Sequence, residues 1–319
     1  MKMFLGFFSL LLLLFPRTAL SGVTVIPLGK NDKVISNFQF VGMVKNVNNY
    51  SGGSGTVIGD GSFVLTAKHV VTHNSQDTGM LLDSSNFVFE IDNKSYKILK
   101  VYGHPLADIA IIQIDGVYEK TAKLSFSKDF VGQEFYGVGY GKSSTNPKVN
   151  NLVWDLEYGT KHVYKNRIDA ENINIKITGN NITKARIFIF DLSDPADLDK
   201  PNGAVSGEGM HGPGDSGGGL FIIEDEELHL FGIISAMTID FPYMGFVHDV
   251  SFCREWIESI VKDAFAIPKP QVATSQNIEI NIASGSLAEF LPKDDHKTMP
   301  FINEDRRRRS RFPFHEMSI

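Results

Sequence analysis

Short apolar runs, rich in branched and aromatic residues, recur along the chain from about residue 38 to residue 250. They include FQFVGMV (38–44), FVLT (63–66), FVFEI (87–91), YKILKVY (96–102), IAIIQI (109–114), IFIFD (187–191), LFII (220–223) and LHLFGII (228–234). Clusters of Gly, Asn, Asp and Ser separate them. Runs of this length, broken by turn residues, predict an all-β sandwich or barrel. Residues 117–130 carry no strong strand pattern and read as a join between two halves. Residues 142–184, rich in Asn and Lys, read as long loops with a few strands. The period changes at 251–265, where Phe252, Trp256, Ile257, Ile260 and Val261 share one helical face and Ser251 stands at the N-cap position. Pro268 and Pro270 end that helix, and residues 267–319 read as a solvated, disordered tail.

The two ends change the picture. Lys2 precedes the apolar run FLGFFSLLLLLF (4–15), and Ala19-Leu20-Ser21 offers small residues for cleavage before Gly22. This layout predicts a secretory signal peptide over residues 1–21 and a secreted or periplasmic mature chain. The run is too short to span a bilayer, so no transmembrane segment is expected in the mature chain. At the other end Arg306, Arg307, Arg308 and Arg309, followed by Arg311, form a basic cluster. Its sharper reading is an electrostatic contact with an anionic surface. The whole chain nevertheless carries a net charge of −6, which argues against general nucleic-acid binding. Its one cysteine, Cys253, allows neither an intramolecular disulfide nor a cysteine-based metal site. An exported chain without disulfides relies on core packing, and its length provides for that.

Three short motifs carry candidate chemistry. LTAKHVV (65–71) follows an apolar strand, LADIAII (106–112) opens another, and GPGDSGGGL (212–220) is a glycine-rich loop. A lone histidine after a strand, a lone aspartate at a strand start and a glycine loop each have ordinary structural explanations. Together His69, Asp108 and Ser216 supply a base, its orienting carboxylate and a nucleophile. A serine hydroxyl needs a neighbouring imidazole to take its proton, and that imidazole needs a carboxylate to fix its tautomer. The N–H groups of Gly214 and Ser216 are the candidate oxyanion hole, a contribution on the order of 3 kcal/mol per donor.

These residues resemble those of the chymotrypsin/trypsin-like serine proteases, in a disulfide-free, bacterial-like form. FYGVGYG (135–141) is similar to the glycine–aromatic–glycine segment that opens the family's second barrel. GIIS (232–235) resembles the strand along the substrate, and GFVHDV (245–250) with Trp256-Ile257 resembles the last strand and C-terminal helix. The resemblance implies two perpendicular six-stranded β-barrels, over about 36–116 and 129–250, with a helix at 251–265. The protease domain would span residues 22–266. It implies a serine endopeptidase that hydrolyses protein or peptide substrates through an acyl-enzyme, with no cofactor or metal. His69 would be the general base, Asp108 its orienter and Ser216 the nucleophile. Ser235 would hydrogen-bond Asp108 and pair with substrate.

Position in the motif assigns the primary pocket to Met210 at its base, His211 beside it, Met237 along its side, and Gly245 leaving the back wall open. The absence of an aspartate at the base disfavours Lys and Arg, and two methionines favour a small or medium apolar side chain. A protonated His211 would instead favour an acidic one. The family's usual activation terminus is missing. In the family its amino group pairs with the aspartate that matches Asp215, so Asp215 must find that partner in Val23, Val25, Ile26 or another residue. The missing terminus also leaves open a catalytically silent homologue acting as a binding or regulatory module. An esterase with a nucleophile elbow would place its histidine last in the chain; His248 does follow Ser216, but no strand–nucleophile–helix pattern surrounds the serine.

Overall fold

The computed structural model describes residues 23–24 and 38–261, apart from 49–50, 75–76, 126, 128, 145–151, 153, 155–157, 179–180, 195, 197, 199–202 and 239–242. The expected signal peptide, the tail and its arginine cluster lie outside the described residues. Among the described residues no helix is long and apolar enough to cross a membrane.

A two-residue strand, β1 (Val23–Thr24), precedes the first barrel. That barrel is built from β2 (Val41–Asn46), β3 (Gly52–Ile58) and β4 (Phe63–Thr66), then from β7 (Phe87–Ile91), β8 (Lys94–Gly103) and β9 (Ala110–Ile114). Between its halves lies a small hairpin, β5 (Thr72–Asn74) and β6 (Asp77–Leu81). The barrel closes as a ring in the order β2-β3-β4-β9-β8-β7. β7 reads FVFEI with buried and half-buried positions in strict alternation, the period-two signature of a strand with one wet face. β9 reads AIIQI and is buried at every position but Gln113, so its run is apolar rather than alternating.

The second unit comprises β10 (Lys123–Leu124), β11 (Glu134–Gly139), β12 (His162–Arg167), β13 (Ala170–Thr178), β14 (Asn181–Asp191), β15 (Gly209–Met210), β16 (Gly219–Glu224), β17 (Glu227–Met237) and β18 (Met244–Asp249). Its ladder runs β12-β11-β16-β17-β18-β14-β13, with β10 alongside β17 and β15 paired to β1 instead. The ladder does not close by strand pairing, a difference from the second ring that the resemblance implies. The reason is local: β12 and β13 are one stretch of chain, bent at Ile168-Asp169. The Asp169 N–H bonds the Ile189 carbonyl at 3.0 Å, and Asn166 Nδ2 bonds the Asp191 carbonyl at 2.8 Å. Counting β12 and β13 as one bent strand gives six strands, and the bend brings the ends of the sheet together. Phe130, Phe135, Phe188, Phe190 and Phe231 fill this unit's core, with Phe130 and Phe231 stacked at 4.5 Å.

The chain ends in a 3-10 turn (Ser251–Cys253) and the helix α1 (Arg254–Ile260). Ile257 and Val261 are buried, as the helical face predicts, but Phe252 is exposed. Ser251 is not the N-cap of α1. It lies one turn earlier, where its N–H and hydroxyl both bond the Asp249 carboxylate at 2.7 and 2.9 Å.

Candidate active site

His69 stands in the 3-10 turn Lys68–Val71 that follows β4. Its backbone N–H donates to Asp108 Oδ1 at 2.8 Å, and its Nδ1 lies 2.7 Å from Asp108 Oδ2. With the carboxylate accepting, Nδ1 carries the proton, and in the neutral ring the lone pair is then at Nε2. Burial pushes Asp108 towards its neutral form, but the hydrogen bond and charge of His69 and the hydroxyl of Ser235 outweigh it. The carboxyl therefore sits below the ordinary aspartate value.

The loop that presents Asp108 is shaped by a residue outside the motifs. His104 Nδ1 accepts the N–H groups of Leu106 at 3.1 Å and Ala107 at 2.8 Å. Its ring packs edge-on against Trp256 of α1, 4.9 Å between centroids. Burial, with the Lys68 and His248 charges, holds the His104 pKa at about 4, so the ring is neutral and free to accept.

Ser235 ties the pair to the nucleophile. β17 carries a bulge between Ile234 and Ala236, which frees Ser235 from pairing with β18. The Ser235 hydroxyl donates to Asp108 Oδ2 at 2.6 Å, and its carbonyl accepts the Ser216 hydroxyl at 3.4 Å. His69, Asp108, Ser235 and Ser216 are thus brought into one continuous site, with the Ser216 hydroxyl turned to Ser235 rather than to His69. His248 is buried on β18 beside Asp108 and His69, and burial lowers its pKa.

The loop before Ser216 is held from both barrels. Gly214 has φ +91 and Gly217 has φ +84, a region that favours glycine. A Cβ on Gly217 would meet the Ser54 carbonyl at 2.2 Å, and one on Gly214 would meet the Tyr158 ring at 1.9 Å. Ser54 of β3 donates its N–H to the Ser216 carbonyl at 2.7 Å and its hydroxyl to the Gly214 carbonyl at 3.3 Å. Among the described residues, no protein acceptor takes the N–H of Gly214 or of Ser216.

Asp215 has a partner that the sequence reading did not find. His162 Nε2 of β12 lies 2.7 Å from Asp215 Oδ1, with both side chains buried. No motif marks His162; it falls in the stretch read as loops, as do Trp154 and Tyr158, whose rings pack on Gly212 and Gly214.

The residues assigned to the primary pocket are placed as follows. Met210 is fully buried in the second core, and Met237 packs against it. His211 is buried, with Nε2 on the Ala236 carbonyl at 2.8 Å and Nδ1 facing the Tyr164 hydroxyl at 3.2 Å. Burial outweighs the Ala236 carbonyl and the Asp215 charge and lowers the His211 pKa. The space behind Gly245 is not open, as the sequence reading had it. A Cβ there would lie 2.4 Å from Phe190 and 2.7 Å from His211, so those two rings fill the wall.

Comparison with known proteins follows the same lines. Residues 53–233 match the family model of the trypsin-like peptidase domain. No curated protein matches the sequence. Among solved structures, the chain is similar to Rv3671c from M. tuberculosis H37Rv, a serine-to-alanine mutant in its inactive form. The TM-score is 0.50 and the identity 16%, over 74% of this chain and 97% of that one. The Rv3671c protease in its active form gives a TM-score of 0.49 at 16% identity, over 75% of this chain and 92% of that one. At this identity the likeness is one of fold.

Proposed function

The chain belongs to the trypsin-like peptidase family, and from that premise we propose that it is a serine endopeptidase that cleaves peptide bonds through an acyl-enzyme. His69 is the general base, Asp108 holds its tautomer and Ser216 is the nucleophile. The Gly214 and Ser216 N–H groups receive the oxyanion. The observation that carries this reading is the His69–Asp108 pair, 2.7 Å apart and joined through Ser235 to the Ser216 hydroxyl.

The reaction asks for one local movement. The Ser216 hydroxyl leaves the Ser235 carbonyl for His69 Nε2, a turn between staggered rotamers. Hydrogen bonds of this kind are often long without substrate and tighten on binding. Ser216 Oγ then attacks the scissile carbonyl carbon and its proton passes to His69 Nε2. The imidazolium is stabilised by Asp108 and returns the proton to the leaving amine. Water enters by the same route and frees the acid.

In the primary pocket, both His211 nitrogens are engaged within the protein, which leaves neither for a substrate carboxylate. With the half-buried Met237 this supports an uncharged apolar residue before the scissile bond, to be read from a peptide-library cleavage profile. A profile dominated by Arg, Lys or Glu overturns it. The export reading is tested by N-terminal sequencing of the secreted protein, with Gly22 expected at the terminus.

Fluorophosphonate labelling separates this function from a silent homologue. The native protein is expected to be labelled at Ser216 and to hydrolyse peptide; Ser216→Ala is expected to do neither. Hydrolysis unchanged in Ser216→Ala would refute the assignment.

A further inference from the structure

Asp215, fully buried and immediately before the nucleophile, sits in a cradle of its own. The Gly141 N–H donates to its Oδ1 at 2.7 Å and the Gly212 N–H to its Oδ2 at 2.8 Å. Two glycines of the FYGVGYG segment make the room. A Cβ on Gly139 would lie 2.2 Å from Asp215 Oδ1, and one on Gly141 would lie 2.8 Å from its Cγ. Gly139 is paired across the ladder with His162, which brings the imidazole to the same carboxylate. His162 Nε2 lies 2.7 Å from Asp215 Oδ1. The ring nitrogen is off the axis of the oxygen and makes no aligned hydrogen bond, so what the structure shows is a close contact of the ring with the carboxylate, 2.7 Å from Nε2 to Oδ1. A buried carboxylate is costly unless dipoles and a counter-charge surround it. Here two backbone N–H groups and the His162 ring surround it.

The alternative counter-charge is a free amino terminus. β1 pairs Val23 with Met210 and Thr24 with Gly209, and it also packs beside β12. A chain cut before Gly22 would therefore begin close to this region. Yet the position against Asp215 Oδ1 is already filled by His162.

We propose that His162 is a positioning residue that substitutes, from inside the chain, for a liberated amino terminus. Its ring, seated against Asp215 Oδ1, holds that carboxylate, and Asp215 holds the loop 212–217 so that the Gly214 and Ser216 N–H groups can receive one oxyanion. The serine is then competent without a proteolytic activation step. This rests on the serine-protease reading above.

The test uses the mature chain in two forms, one beginning at Gly22 and one with a short extension ahead of it. Each is made with native His162 and with His162→Gln, and Ser216→Ala serves as the blank. The two N-terminal forms are expected to share one kcat and one rate of fluorophosphonate labelling. His162→Gln is expected to lower both about tenfold or more while KM moves less than about twofold, because the loss falls on the transition state. A purely structural role would instead lower the unfolding midpoint and the fraction of labelled sites while leaving kcat per labelled site unchanged. That outcome overturns the proposal, as does an extended form that is silent until trimmed. If His162→Gln does not fold, the comparison of the two N-terminal forms decides alone: equal activity supports the proposal and a silent extended form overturns it. Absence of labelling and hydrolysis from both native forms is a different failure, that of the protease reading itself.

Discussion

Ser235 is the residue on which the site turns. Its hydroxyl satisfies Asp108 and its carbonyl holds the resting Ser216 hydroxyl. Removing the hydroxyl leaves a half-buried carboxylate one donor short. A hydrogen bond to a charged group contributes about 1.5–3 kcal/mol, so Ser235→Ala is expected to lower kcat about tenfold or more with the fold retained. Steady-state kinetics beside a thermal melt check this. Asp108→Asn goes further, since the amide reverses the donor at His69 Nδ1 and favours the wrong tautomer. A loss of kcat of about 10⁴-fold is expected, as for the corresponding change in the serine-protease template.

Between elements, α1 supports the site through Trp256, His104 and the Asp108 loop. The neutral His104 ring accepts two N–H groups at Nδ1, and its pKa of about 4 lies below the ordinary 6.5. A histidine with a depressed folded-state pKa contributes stability that is complete above its unfolded value and is lost as pH falls below it. The unfolding midpoint is therefore expected to drop between pH 6.5 and pH 4, the window set by those two values. In His104→Asn, which keeps an acceptor but does not titrate, that drop is expected to shrink; melts across the pH range read it. Strands whose apolar residues alternate or cluster, such as β4 and β7, are legible from composition alone. β3 is not, because GGSGTVI opens on small residues whose burial comes from close packing rather than from side-chain hydrophobicity. β12, HVYKNR, is not, because its buried His162 and Asn166 read as surface polarity until their partners are known. The three motifs mark His69, Asp108 and Ser216 because each sits in a local signature. His104 and His162 have none, since their partners are set by the tertiary fold.

Taken as a whole, the molecule holds its two β units together without a disulfide between them. Its one cysteine, Cys253, is buried, and burial pushes its thiol up to about 12. Reductant is therefore expected to leave both the unfolding midpoint and the activity unchanged, a result that melts with and without a thiol reagent test. At the site the two units are joined by the Ser235 hydroxyl on Asp108 and by Ser54, whose hydroxyl reaches the Gly214 carbonyl 160 positions later in the chain. On the ribosome the first barrel emerges with one half of the machinery, His69 and Asp108, while the grip of Ser54 waits for a loop not yet made. On the serine-protease reading, a nascent chain that has exposed only its first β unit therefore carries a base and its orienter but no nucleophile, because Ser216 follows about a hundred residues after Asp108.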